Sequence, residues 1–195
     1  MAIGSIPKTK AEQRAFFGGG PGKQGGTANG AGVKVNASQA GYTKTVLEFN
    51  DTPIPLVDEA GVVAYGSLKV FDLPQGLILV DAAVADLAIT KSSAGVNATF
   101  DGDFGVGTTA AGNNAALATT EQNIIPTTAT PQAVAGATTA KGISTAGLQL
   151  DGTATAPDVY LNFLVDDADH DVTTTPCNLI VNGTLTLIWA NAGDK

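Results

Sequence analysis

The sequence predicts an all-β protein, in which an antiparallel β-sandwich or jelly-roll-like body follows an extended N-terminal arm. Two observations carry this prediction. From Tyr42 onward, short runs of β-branched and apolar residues are separated by Pro, Gly, Asn and Asp, which is the pattern of strands and turns. The helical segments that would join parallel strands in βαβ units are missing from this pattern. We therefore divide the 195 residues into an arm at residues 1–41 and a body at residues 42–195.

The arm is basic and rich in glycine, whereas the body is acidic. Residues 1–44 carry six basic side chains and one acidic side chain, a charge of +5, and residues 45–195 carry −13, which together give the net charge of −8. Thr9 and Glu12 match a capping box and Gly18 a helix stop, so a short helix is expected over residues 10–17. The alternative is an arm without fixed structure in the isolated protein.

Two aromatic residues of the arm need a surface to pack on. Phe16 and Phe17 precede a run of glycines that offers no such surface. We interpret them, together with the nearby cations, as an anchor for a partner or for the body. The predicted partner-binding residues of the arm are Lys8, Lys10, Arg14, Phe16, Phe17, Lys23 and Lys34.

The first half of the body predicts three strands. The first strand is predicted at residues 42–49, and the turn-forming residues 50–53 are expected to end it. The second is predicted at residues 62–71, before Pro74. Residues 77–90 fit either one long strand or a helix, and the turn residues before them favour the strand.

The second half begins with a segment rich in Thr, Ala and Gly. This segment, residues 105–147, is predicted to form loops and edge strands packed on a sheet or on a neighbour. Strands are then predicted at residues 148–150, 159–165 and 178–190. Inside the last of these, Asn182 and Gly183 either turn a hairpin or place a bulge in one long strand.

Three aspartates near the end of the body are spaced like calcium ligands. Asp167, Asp169 and Asp171 place carboxylates at alternate positions, as calcium loops do. An EF-hand loop would require glycine and glutamate where Val172 and Asn178 stand. The pattern therefore leaves two interpretations, a weak calcium site at these three residues and, favoured over it, a solvated acidic turn.

The sequence predicts neither an enzyme nor a cofactor. His170 is the only histidine, so any serine or cysteine triad would need it as base, yet no nucleophile elbow occurs. We expect His170 to be an exposed turn residue and Cys177, the only cysteine, to be a small core residue. Asp101 and Asp103 form a second short acidic turn.

The sequence also bears on location and partners. No secretory signal and no membrane-spanning stretch is recognised, and one cysteine permits no internal disulfide, so synthesis in the cytoplasm is expected. The acidic body would repel a phosphate backbone, which argues against nucleic acid as a partner. A membrane partner is not expected.

In overall style the chain resembles the small capsid decoration, or cement, proteins of tailed bacteriophages. The resemblance covers the arm, the Thr/Ala/Gly-rich body from Tyr42, residues 101–108 running to residues 124–126, and the end at residues 179–189. It implies a structural virion protein made in the host cytoplasm. Its β-rich body would sit on the capsid surface, bound to the major capsid protein and to other copies as a dimer or trimer, while its arm staples neighbouring capsomers.

A second hypothesis comes from another functional class. The body could be a carbohydrate- or surface-binding β-sandwich module of a head fibre or tail, with a calcium-assisted ligand site at Asp101, Asp103 and residues 166–171. Aromatic platforms for a sugar are scarce, because the chain holds one Trp and three Tyr. This scarcity favours the capsid hypothesis.

Overall fold

In the part of the chain that the structure describes, eleven strands, all paired antiparallel, form one sheet around a common core. The computed structural model describes residues 27–28, 34–57, 63–144 and 147–193, with side chains from residue 41 onward. In chain order the strands are β1 (Thr27–Ala28), β2 (Lys34–Ala40), β3 (Tyr42–Val57), β4 (Ala64–Asp72), β5 (Gly76–Lys91), β6 (Gly102–Gly107), β7 (Ile125–Thr130), β8 (Ala137–Ser144), β9 (Leu148–Gly152), β10 (Asp158–Val165) and β11 (Asn178–Asn191). Within these described ranges, single 3-10 turns lie at Thr119–Glu121 and Asp167–Asp169.

The sheet bends into two layers. The first layer has the order β7-β6-β10-β4, with β1 beside β4. The second has the order β3-β11-β5, with β2 on the free edge of β3 and with β8 and β9 on the free edge of β5. Strand β3 joins the layers, because Leu56 and Val57 pair with β4. At the opposite edge β7 lies against β8, so the sheet is nearly closed. The all-β, antiparallel prediction is confirmed.

The core lies between the layers and is built by period-two burial. Strand β5 buries alternate side chains from Ile78 to Val80 and, after a bulge at residues 81–82, from Ala83 to Ile89. The strand predicted at residues 77–90 is therefore confirmed and the helix is excluded. Trp189 and Phe71 are among the largest buried side chains, and Phe104 and Phe163 pack with ring centroids 6.1 Å apart.

The predicted break at residues 50–53 is wrong, because β3 continues through it as a bulge. Asn50 and Asp51 together face the single residue Asn182 of β11, and Asp51 adopts a positive φ of 48°. The Asp51 N–H donates to Asn182 Oδ1 across 2.9 Å, and Asn182 Nδ2 donates back to Asp51 Oδ1. Strand β11 is therefore one long strand with a bulge at this pairing, and the alternative of a hairpin turn at Asn182 and Gly183 is excluded. Gly183 has φ 121°, and a Cβ there would lie 2.1 Å from the Asp86 carbonyl oxygen.

One segment covers the outer face of the first layer. Strand β10 buries both of its faces from residue 161 to 165, because residues 108–123, which we call the bracing segment, pack over it. Asn162 of β10 holds this segment. Its Nδ2 donates to the carbonyl oxygens of Thr109 and Glu121, at 3.0 and 2.7 Å, and its Oδ1 accepts from the Ala111 N–H at 2.9 Å. The segment predicted as loops and edge strands thus supplies this brace and the two edge strands β7 and β8.

Candidate functional site

The first two strands fall within the range predicted as the arm. Strand β2 pairs with β3 along its whole length, and Lys34 opens it opposite Glu48. Strand β1 pairs with the end of β4 at Asp72 and Phe71. The side chain of Lys34 lies outside the described part of the structure. The helix predicted at residues 10–17 also lies outside the described part. The same holds for the other residues predicted to bind a partner, which are Lys8, Lys10, Arg14, Phe16, Phe17 and Lys23.

The two acidic stretches of the sequence meet at one end of the first layer. Asp101 lies directly before β6, and Asp166 directly after the neighbouring β10. The Asp166 N–H donates to the Asp101 carbonyl oxygen, and the Asp101 N–H donates to Asp169 Oδ2, both across 3.2 Å. We call Asp101, Asp103, Asp166 and Asp169 the acidic corner.

Two carboxyl groups of the acidic corner, those of Asp101 and Asp103, have a raised pKa. Loss of hydration raises the pKa of Asp101, and the nearby carboxyls of Asp166 and Asp169 raise it further. The pKa of Asp103 is also raised, first by burial and then by Asp166. Two of these carboxyls therefore resist ionisation in the folded chain.

Two of the predicted calcium ligands, Asp169 and Asp171, accept hydrogen bonds from different parts of the chain. Asp169 is engaged by the Asp101 N–H and by Asn97 Nδ2, and Asp171 Oδ1 accepts from the Thr173 hydroxyl. Within residues 41–57, 63–144 and 147–193, no group of three or more His, Cys, Asp and Glu side chains is arranged to hold a metal ion.

The only histidine and the only cysteine of the chain, both potentially reactive side chains, have structural roles. The expectation that His170 is an exposed turn residue is wrong, because its side chain is 3% exposed and its Nε2 accepts from the Ala64 N–H across 2.9 Å. The contact ties the acidic stretch to the start of β4, a tertiary relationship that local sequence does not reveal. Cys177 is a buried core residue, as predicted.

Neither the tryptophan nor the groove beside β9 offers an aromatic platform to a sugar ligand. Trp189 is 1% exposed, and its Nε1–H donates to Thr45 Oγ1 within the core. A groove of about 480 Å³ lies beside β9, and its walls are mostly apolar, including Leu77, Leu79 and Leu150. Among the residues that the structure describes, no aromatic side chain lines this groove.

The outer face of the second layer carries a row of outward-facing β-branched residues, of which two are half-buried and two are exposed. Val46 of β3, Thr186 of β11, Val84 of β5 and Ile143 of β8 lie side by side in register. We call these four residues the central row. Val84 is 45% exposed and Ile143 is 62% exposed, although outward positions of a solvated sheet are usually polar. The central row is thus a candidate contact surface.

Charged residues lie on both sides of the central row. On β3, Lys44 and Glu48 are exposed and stand two positions before and after Val46. On the Glu48 side, Lys141 Nζ of β8 lies 3.0 Å from Asp86 Oδ2 of β5. Sequence reasoning missed this face. The available signal was one apolar β-branched residue at an outward position of each of β3, β5 and β8, but only strand register shows that the three residues share a row.

Among the described residues, none of the helices has the length and apolar character needed to cross a membrane. No protein-family model, curated protein or solved structure matches the chain.

Proposed function

We propose that the chain is a structural virion protein that binds and stabilises the outer surface of a phage capsid lattice. The observation that supports this most directly is the attachment of a basic segment to an acidic, layered β-body. Residues 1–26 hold four of the ten basic side chains, and the chain enters the sheet directly after them through β1 and β2. A cationic segment fixed to a stiff body can hold that body on an acidic neighbouring surface.

The energetics of such attachment follow from the composition of the arm. Ordering the arm on a partner costs conformational entropy, which burial of Phe16 and Phe17 would offset. Lys8, Lys10 and Arg14 would add attraction to an acidic surface. Because a lattice offers many sites, weak individual contacts suffice for full occupancy. The proposed partners are the major capsid protein and other copies of this chain.

The test is co-sedimentation with heads of the virus that encodes the chain, after removal of the bound protein. The full chain is expected to sediment with the heads, and a variant lacking residues 1–26 is expected to remain in the supernatant. The truncation must end before Thr27, since a deletion to residue 40 would remove β2 and uncover the edge of β3. Matched circular dichroism melts check that the body still folds. Failure of the full chain to sediment would overturn the proposal.

A carbohydrate- or surface-binding module is the alternative, and it has less support. The buried Trp189 cannot stack on a sugar, and the groove beside β9 contains no aromatic wall. A rise in melting temperature on addition of calcium, reversed by a chelator, would favour this alternative.

A further inference from the structure

The central row places two exposed residues, Val84 and Ile143, beside two half-buried ones, Val46 and Thr186. Its residues come from four adjacent strands, and Val84 and Ile143 are direct cross-strand neighbours. Large exposed side chains in contiguous positions mark contact surfaces more often than isolated ones do. The charges beside the central row indicate which partner covers these side chains.

The charges on β3 fit a second copy of the same chain. Lys44 and Glu48 lie on one face of the strand, each two residues from Val46 and therefore about 6.6 Å from it along the strand. A two-fold axis that crosses β3 at Val46 exchanges these two positions. Lys44 would then face Glu48 of the partner subunit, and the symmetry creates this pair twice.

We propose that two copies of the chain pair face to face through the outer face of the second layer, about a two-fold axis that runs along the central row. Stacked sheets pack about 10 Å apart, a distance that Lys and Glu side chains span together. The pairing concerns the chain alone, so it stands or falls independently of capsid attachment.

Two further pairs of positions, on β5 and β11, are compatible with this axis. The axis sets Asp86 opposite Ala82 of the partner subunit, and Thr184 opposite Ile188 of the partner subunit, so like charges do not meet at these positions. Four strands about 4.8 Å apart and eight residues of strand length span about 19 Å by 27 Å, roughly 500 Å² in projection. The accessible surface of this face is larger than its flat projection, because side chains project from it. It therefore approaches the roughly 800 Å² that each partner buries in a stable interface.

The test is sedimentation equilibrium of the full chain and of charge variants. We expect a concentration-dependent dimer. Lys44→Glu and Glu48→Lys should each raise the dimer dissociation constant about tenfold or more, since each sets like charges against each other twice. The double variant restores opposite charges and should recover most of the affinity. Ile143→Lys should also weaken the dimer.

Matched controls separate the interface from general charge effects. Asp167→Lys makes the same reversal as Glu48→Lys at an exposed side chain next to β10, in the first layer, and should leave the dissociation constant unchanged. Thermal melts of each variant check the fold. A monomer at all accessible concentrations, a trimer, or a dimer that tolerates both single charge reversals would overturn the proposal. So would a double variant that fails to recover affinity.

Discussion

The indole Nε1–H of Trp189 donates a hydrogen bond to Thr45 Oγ1 across 3.0 Å, and both side chains are almost completely buried. The two residues lie on neighbouring strands, β11 and β3, which pair along most of their length. A buried indole N–H without an acceptor costs free energy, so Thr45 allows the only tryptophan to occupy the core.

Replacing Thr45 with valine should destabilise the protein. Valine preserves the shape of threonine but removes the acceptor, which leaves the Trp189 N–H unsatisfied. We expect the free energy of unfolding to fall by about 1–3 kcal/mol. Urea denaturation monitored by tryptophan fluorescence measures this change.

Thr52 on the same strand provides the matched control. It is also fully buried, but its hydroxyl has no hydrogen-bond partner in the part of the chain that the structure describes. Thr52→Val should therefore leave the free energy of unfolding unchanged or raise it by about 1 kcal/mol. Equal losses in the two variants would show that the Trp189 contact contributes nothing specific.

Removing the side chain of Asn162 should release the bracing segment. Asn162→Ala leaves the Ala111 N–H and two carbonyl oxygens of residues 108–123 without their partner. We expect a loss of about 2–4 kcal/mol in the free energy of unfolding. Amide exchange at Ala111 should accelerate more than exchange in the strands between the layers.

An exposed asparagine of the bracing segment tests whether this effect is specific. Asn114→Ala changes the same residue type at an exposed position and should alter stability by less than about 0.5 kcal/mol. If both variants open the segment equally, Asn162 is not its brace.

The contact between β8 and the first layer depends on the absence of a side chain at Gly142. A Cβ there would lie 2.7 Å from Phe104 Cζ and 2.8 Å from Ile125 Cγ2. Gly142→Ala should overpack this contact and lower the free energy of unfolding by about 1–3 kcal/mol. Gly147→Ala is the control, because its Cβ would meet nothing closer than Leu79 Cδ1 at 3.8 Å. Comparable melting temperatures of the two variants would contradict this account.

The sequence predicted the strands of the body well because burial alternates along them. Residues 77–90 illustrate this, since local turn residues and period-two burial agree there. The error at residues 50–53 has a physical cause. Turn-forming residues also suit a bulge, and only the pairing of β3 with Asn182 distinguishes the two.

The candidate surfaces were less predictable than the strands. The burial of His170 depends on Ala64, which is 106 residues away in the chain, and the central row depends on the register of four strands. Neither relationship has a local signature. The acidic corner was partly visible as two Asp-rich turns, but their meeting required the pairing of β6 with β10.

The acidic corner makes stability depend on pH in a defined direction. Because the pKa values of Asp101 and Asp103 are raised in the folded chain, the folded state binds more protons than the unfolded state between the two sets of values. The stability that these groups contribute is complete below their ordinary pKa of 3.8 and is lost as the pH rises through the folded-state values. Asp101→Asn, which cannot ionise, should therefore be more stable than the natural chain at neutral pH.

The pH profile of the difference is the decisive measurement. Urea denaturation of the two proteins between about pH 4 and pH 7 should show the advantage of Asp101→Asn shrinking as the pH falls, because the natural side chain becomes protonated as well. Asp81→Asn removes an exposed carboxylate from β5 in the other layer and is the control for the loss of one surface charge. An advantage that is constant with pH would mean that the asparagine acts through packing. A loss of stability at neutral pH would mean that the ionised Asp101 is needed by its neighbours, contrary to the direction of its pKa shift.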